Sequence, residues 1–152
     1  MEGRRFACTQ CGKCCTGSGE VHVNNSEIAQ MARFLRISEK TFVKKFCKAF
    51  SPKEGWQRLK SLRNPTNDCV FLENKMCILH SVRPLQCKTY PWWPSLQKED
   101  DWILESKTMC EGIANADAPN VDAADAAHQL QLYRKYLKER EAAPLRRKRH
   151  TK

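Results

Sequence analysis

Four cysteines fall within eight residues near the start of the chain: Cys8-Thr-Gln-Cys11-Gly12-Lys-Cys14-Cys15. Two thiolates separated by two residues in a tight turn bring both sulfurs within ~2.3 Å of one metal ion. Turn amides that point at the sulfurs stabilise their charge. Gly12 follows the first pair, where a positive φ is often required. Lys13 and the Arg4-Arg5 pair place positive charge near the thiols, which favours the thiolate form. Cys14 and Cys15 are neighbours whose side chains diverge, so the doublet points to two nearby sites or to one cluster with a second metal beside it. Cys69, Cys77, Cys87 and Cys110 follow at wide intervals. With the N-terminal block they make eight candidate ligands, enough for two four-thiolate sites, and they couple metal binding to folding. The ninth cysteine, Cys47, sits on the apolar face of a Phe-rich helical segment and reads as a small buried hydrophobe.

Composition separates metal from disulfides. A chain of 152 residues buries roughly 70% of its unfolded surface and needs no covalent staples to fold. Nine is an odd number, so a pure disulfide framework leaves a thiol over. The opening Met-Glu-Gly-Arg-Arg-Phe-Ala-Cys has no secretory h-region, and no apolar run approaches the ~20 residues of a membrane span. The expectation is therefore a reducing compartment, cytoplasmic or alternatively an organelle matrix, in which thiols remain available to metal.

The remaining pattern is that of one domain, residues 1–140, followed by a basic tail, 141–152. Ile28, Met31, Ala32 and Leu35 give a helix over 26–36 with Ser26 as its cap. A second helix starts at Ser38 and carries Phe42, Phe46 and Phe50 on one stripe, with Pro52 and Gly55 ending the segment. Residues 56–63 and Trp102 to Glu105 read as strands. Cys69–Leu72 and Lys75–Ile78 flank Glu73-Asn74 as a short hairpin. Arg83-Pro84 opens a helical turn. Prolines 91 and 94 keep Tyr90–Pro94 irregular. A C-terminal helix spans about 121–140, with Ala123, Ala127, Leu130, Tyr133 and Leu137 on its inner face and Pro144 beyond its end. The fold class is a small α+β domain, largely irregular, organised by metal and flanked by helices. His22, His128 and His150 lack partners in the pattern and read as surface residues.

The cysteine pattern resembles the zinc- or iron-chelating cysteine-cluster family, CxxCxxCC or YkgJ-like, over roughly residues 6–113. Phe6-Ala-Cys8-Thr-Gln-Cys11-Gly12-Lys-Cys14-Cys15 is similar to that family's opening. Cys69-Val-Phe-Leu, then Met76-Cys77-Ile78-Leu79-His80-Ser-Val-Arg83-Pro84-Leu85-Gln86-Cys87, is similar to its second block, and Cys110-Glu-Gly112-Ile113 to its closing one. His80 stands where the family often has Tyr, so it is not counted as a ligand. A related cysteine block occurs in flagellin lysine methylases, an analogy that implies an iron–sulfur cluster serving a modification reaction.

Zinc and iron–sulfur both accept thiolates. The first C-x2-C pair resembles a zinc knuckle. Cys8, Cys11 and Cys14, with Cys87 as a distant fourth, have the spacing of an iron–sulfur ligand set. The expected cofactor is an iron–sulfur cluster, with zinc as the alternative. Two function classes follow: an iron–sulfur oxidoreductase or modification enzyme, or a structural zinc module that docks on a protein or RNA–protein partner. The second class draws on the net charge of +10 and on five positive side chains in residues 146–152. Trp92 and Trp93 either cover the cofactor or fill the core, and Arg83 is expected to pair with a thiolate or a carboxylate. No Ser/His/Asp pattern, phosphate-cradling glycine loop or credible pair of catalytic carboxylates is present, so any active centre is the metal.

Overall fold

The computed structural model describes residues 3–17, 19–49, 51–62, 64–113 and 115–146. Phe50, His150 and the tail residues 147–152 lie outside the described residues.

The fold starts from two short sheets with helices on their flanks. Strand β1 (His22–Asn24) leads directly into α1 (Asn25–Phe34). Asn24 caps α1: its side chain accepts from the Glu27 N–H, and the Glu27 carboxylate accepts from the Asn24 N–H, both at 2.9 Å. The reciprocal pair satisfies two donors that the helix cannot bond internally. The cap is thus Asn24, not the expected Ser26, because Asn24-x-x-Glu27 closes a capping box and Ser26 already lies inside the helix. Helix α2 (Glu39–Phe46) starts one residue after the expected Ser38, which caps it, and stops at Cys47, well before Pro52. Cys47 instead enters a β-bridge with Leu59.

Strand β2 (Trp56–Arg58) pairs antiparallel with β1, with His22 opposite Arg58 and Asn24 opposite Trp56. It is shorter than the expected 56–63. The hairpin forms as expected from β3 (Leu72–Glu73) and β4 (Met76–Cys77), but its turn is Asn74-Lys75. Both residues have positive φ, 49° and 64°, the geometry that matches the twist of a two-residue hairpin.

Helix α3 (Leu85–Lys88) follows Pro84, which is its N-cap and not its first helical residue. The strand expected at Trp102–Glu105 is instead part of α4 (Glu99–Thr108). Glu99, Asp100 and Asp101 occupy its first turn, where the helix dipole favours negative charge, and Lys107 lies in its last. Its apolar run misleads because Ile103 and Leu104 are exposed and Trp102 alone is buried on that helix. Helix α5 (Ala123–Ala142) is capped by Asp122 and buries Ala126, Leu130, Tyr133 and Tyr136. The expected face was rotated: Ala123 is exposed and Tyr136 points inward.

Three apolar clusters hold these elements. The first joins Val23, Ile28, Met31, Phe42, Phe71 and Leu79, with Cys47 among them. The second joins Trp92, Leu96, Trp102, Ile113 and Ala126, with Trp92 stacked on Trp102 at 5.2 Å and the Arg4 guanidinium 4.3 Å over Trp102. The third packs Trp56 against Tyr133 and Tyr136. The secondary structure is that of a small α+β fold, and among the described residues no helix is long and apolar enough to cross a membrane.

Phe42 is fully buried and its ring stacks on Phe71 at 5.8 Å. Phe42→Ala is expected to cost about 3–5 kcal/mol of stability, read as a lowered denaturant midpoint.

Candidate metal centre

The N-terminal cysteine block is held at both ends by the backbone. On one side the Ala7 N–H donates to the Gly112 carbonyl at 3.1 Å, and Phe6 bridges Ile113. On the other the Cys69 N–H donates to the Cys15 carbonyl at 2.6 Å. Gly12 has a φ of 77° and packs against the hairpin turn so closely that a Cβ there would collide with the Lys75 carbonyl. Residues 13–15 then form a single 3₁₀ turn.

The third support of this scaffold is helix α3, which carries Cys87. Glu27, already part of the α1 cap, accepts from the Leu85 N–H at 2.7 Å and from the Tyr136 hydroxyl at 2.7 Å. Gln86 accepts from the His22 N–H at 3.1 Å and donates to the Glu20 carbonyl at 2.9 Å. Strand β1, α3 and α5 are thereby locked together around Cys87. Sequence reasoning missed both residues. Glu27 was visible as the fourth member of Asn24-x-x-Glu27, whereas Gln86 gave no signal.

These ties bring one cavity of about 1070 Å³ into being, and Cys8, Cys11, Cys14, Cys15, Cys69, Cys77, Cys87 and Cys110 all line it. Cys47 does not line it and lies 2% exposed in the first apolar cluster. Phe71, Leu79, Tyr90, Trp92 and Trp93 contribute apolar wall, so both tryptophans face the cavity while also packing in the core. All nine cysteines are free thiols. Among the described residues, no three His, Cys, Asp or Glu side chains converge closely enough to enclose a metal ion.

The electrostatics of the thiols are uneven. The Cys15 thiol lies within hydrogen-bond reach of Cys14 and Cys77. That contact is the main reason Cys14 and Cys77 are lowered from the ordinary thiol range, with the Arg83 guanidinium adding to both. Cys15 itself is pushed up by the same contacts. Burial raises Cys69, Cys87 and Cys110. Burial also raises Cys47, to about 11, which suits an inert core thiol. Amides from farther along the chain donate to the sulfurs of Cys69, Cys77 and Cys110: Phe71 to Cys69, Leu79 to Cys77, and Gly112 and Ile113 to Cys110. In each case the amide two residues after the cysteine turns back on it, as happens in loops built to hold a thiolate.

Arg83 lines the cavity, acts electrostatically on Cys14 and Cys77, and donates to His80 Nε2 at 2.7 Å. His80 is therefore the acceptor tautomer at that nitrogen. His22 is not a surface residue. It is half-buried, accepts at Nδ1 from Arg140 at 2.8 Å, and has Nε2 3.9 Å from Glu20. Burial, then Arg140, lowers its pKa. His128 is exposed, as expected.

A small α+β fold with eight thiols round one cavity defines a cysteine-cluster protein. The chain matches the CxxCxxCC family, described as "Putative zinc- or iron-chelating domain", over residues 7–111, and it belongs to that family. No solved structure matches it.

Gly12→Ala is expected to lift the cysteine block off the hairpin, through its positive φ and the collision with Lys75. A loss of roughly 1–3 kcal/mol in chemical denaturation checks this.

Proposed function

We propose that the eight cavity cysteines hold an iron–sulfur cluster used in electron transfer or in a modification reaction. The observation that carries this reading is the shared cavity: eight thiols from five separate stretches of chain line one space of about 1070 Å³. A single closed zinc site takes four sulfurs drawn to ~2.3 Å from one point, which uses half of this donor set. A polynuclear centre uses more thiolates and fills more room. The donor set is also all sulfur in its soft ligands, which suits iron–sulfur chemistry.

Ligation requires the thiols to turn about χ1 towards a common point and to give up the contact that Cys15 shares with Cys14 and Cys77. When bound, the cluster supplies one-electron chemistry. The chain's own residues supply the setting. Arg83 offsets thiolate charge. The amides of Phe71, Leu79 and Gly112 steady the sulfurs of Cys69, Cys77 and Cys110. Trp92, Trp93 and Phe71 exclude water from the cavity wall, and a drier wall raises the weight of every one of these charges.

A second reading, a structural zinc module docking on a protein or RNA–protein partner, is favoured by the net charge of +10. Anaerobic purification separates the two. The expected product is brown, with iron and acid-labile sulfide. A colourless protein with stoichiometric zinc overturns the iron–sulfur reading in favour of the second. Under the first outcome, Cys87→Ala lowers metal content, whereas Cys47→Ala keeps it and costs about 1–2 kcal/mol of packing. Equal metal loss in both variants places Cys47 among the ligands. Because the ligands span Cys8 to Cys110, complete metal removal is expected to lower the melting temperature or abolish the cooperative transition. An unchanged thermal transition shows that metal is peripheral to the fold.

A further inference from the structure

The ring of thiols has two ends of different make-up. At one end Cys14, Cys15 and Cys77 are in hydrogen-bond contact, and Cys69 and Cys87 feel the charges of Cys14 and Cys77. The Cys15 carbonyl ties that end to Cys69, and Arg83 is its cation. At the other end Cys110 and Cys11 line the same cavity within electrostatic reach of each other, and the pairing of Ala7 with Gly112 and of Phe6 with Ile113 brings Cys8 to the Cys110 loop. Thr9 reinforces that pairing by donating to the Glu111 carboxylate at 2.9 Å.

This second end holds three thiols and also two oxygen groups that line the cavity, Tyr90 and Glu105. The Tyr90 hydroxyl donates to Glu105 Oε1 at 2.6 Å and reaches the Cys110 sulfur as well. The Cys110 and Met109 N–H groups both donate to the Glu105 main-chain carbonyl at 2.9 Å, so Glu105 and Cys110 leave one tight turn at the end of α4. The carboxylate and the thiol are fixed relative to each other by backbone bonds and joined at their tips by one hydroxyl.

We infer that the eight cysteines form two unequal centres: a thiol-only centre of Cys14, Cys69, Cys77 and Cys87, with Cys15 between its members, and a mixed centre in which the Glu105 carboxylate, oriented by Tyr90, completes Cys8, Cys11 and Cys110. This rests on the reading of the cavity as a metal centre; it confines the iron–sulfur cluster to the thiol-only centre, in place of a cluster held by all eight cysteines, and replaces an even division into two four-thiolate sites. Three thiolates and a carboxylate make a borderline donor set that suits zinc or ferrous iron. Glu105 is the ligand of this centre that comes from outside the cysteine pattern. Tyr90 is a positioning residue that acts through Glu105 and Cys110.

The test loads the reduced full-length chain anaerobically with cobalt(II), whose spectrum reports its ligands, and then with zinc against a chromophoric chelator. Two ions per chain are expected. The Cys8→Ser/Cys11→Ser double variant is expected to keep one ion with an all-thiolate spectrum, and Cys69→Ser/Cys87→Ser to keep the other. Glu105→Gln retains every thiol, so it is expected to leave thiolate-to-cobalt charge transfer in place, shift the ligand-field bands of one ion, and weaken that ion by at least about ten-fold. Glu105→Asp restores the bands in part. Tyr90→Phe is expected to weaken the same ion by roughly 10–100-fold, the usual effect of losing an outer-sphere hydrogen bond. Unchanged spectra and affinities in Glu105→Gln overturn the mixed centre, and this arm does not depend on the folding of cysteine variants. Loss of both ions together in each folded double variant, judged by far-ultraviolet circular dichroism, overturns the division into two. A wild-type chain that takes up neither cobalt nor zinc overturns the metal reading itself, and with it this inference, and is distinguished from the other failures by that blank titration.

Discussion

Thiols as far apart in sequence as Cys8 and Cys110 share one cavity because the N-terminal cysteine block is pinned at both ends by main-chain hydrogen bonds. Ala7 holds it to Gly112, and Cys15 holds Cys69 to it. Neither bond depends on a side chain. The block has little regular structure of its own, a single 3₁₀ turn at residues 13–15, and no residue of that turn is buried. Its position is therefore set from outside, by the apolar clusters on which its partners rest. Phe71 anchors the hairpin side in the first cluster, and Ile113 anchors the closing side in the second. The cavity lies where those clusters leave off.

The same economy governs α3. Four residues are too few for a helix to be stable alone. Glu27 and Gln86 supply what length does not, by bonding α3 to β1, α1 and α5. Glu27 serves three groups at once: the cap of α1, the first turn of α3 and the Tyr136 hydroxyl. One carboxylate thus couples the third apolar cluster to the cysteine that α3 carries.

Much of the site was legible in the sequence and rather less of the fold. The clustered and spaced cysteines stood apart from Cys47 in the sequence, and the structure lines one cavity with those eight and packs Cys47, the lone cysteine on a Phe stripe, in the core. The hairpin was legible because Glu73-Asn74 separates two short apolar runs, although its turn falls one residue later, at Asn74-Lys75. The strand expected at Trp102–Glu105 failed for a definite reason. A short apolar run has no period of its own, and the acidic first turn Glu99–Asp101, which favours a helix start, was the better signal. Strand β1 was invisible: three residues, His22–Asn24, gain their extended form from pairing with β2. His22 looked like a surface residue because its partners, Arg140 and Gln86, are 118 and 64 residues away. Long-range polar contacts of that kind leave no local pattern.

The two ends of the cavity also differ in what they can tolerate. At the Cys14 and Cys77 end, thiols crowd one another and the Arg83 cation is the counter-charge, so negative charge gathered there is met by a fixed positive group. At the Cys110 end the fixed groups are a carboxylate and a phenol, and a metal cation is the charge that would balance them. On the two-centre proposal, an anionic cofactor belongs at the first end and a bare cation at the second. The family description, zinc or iron, names two metals as alternatives. In this chain the physical chemistry of the walls gives a reason for one cavity to suit both.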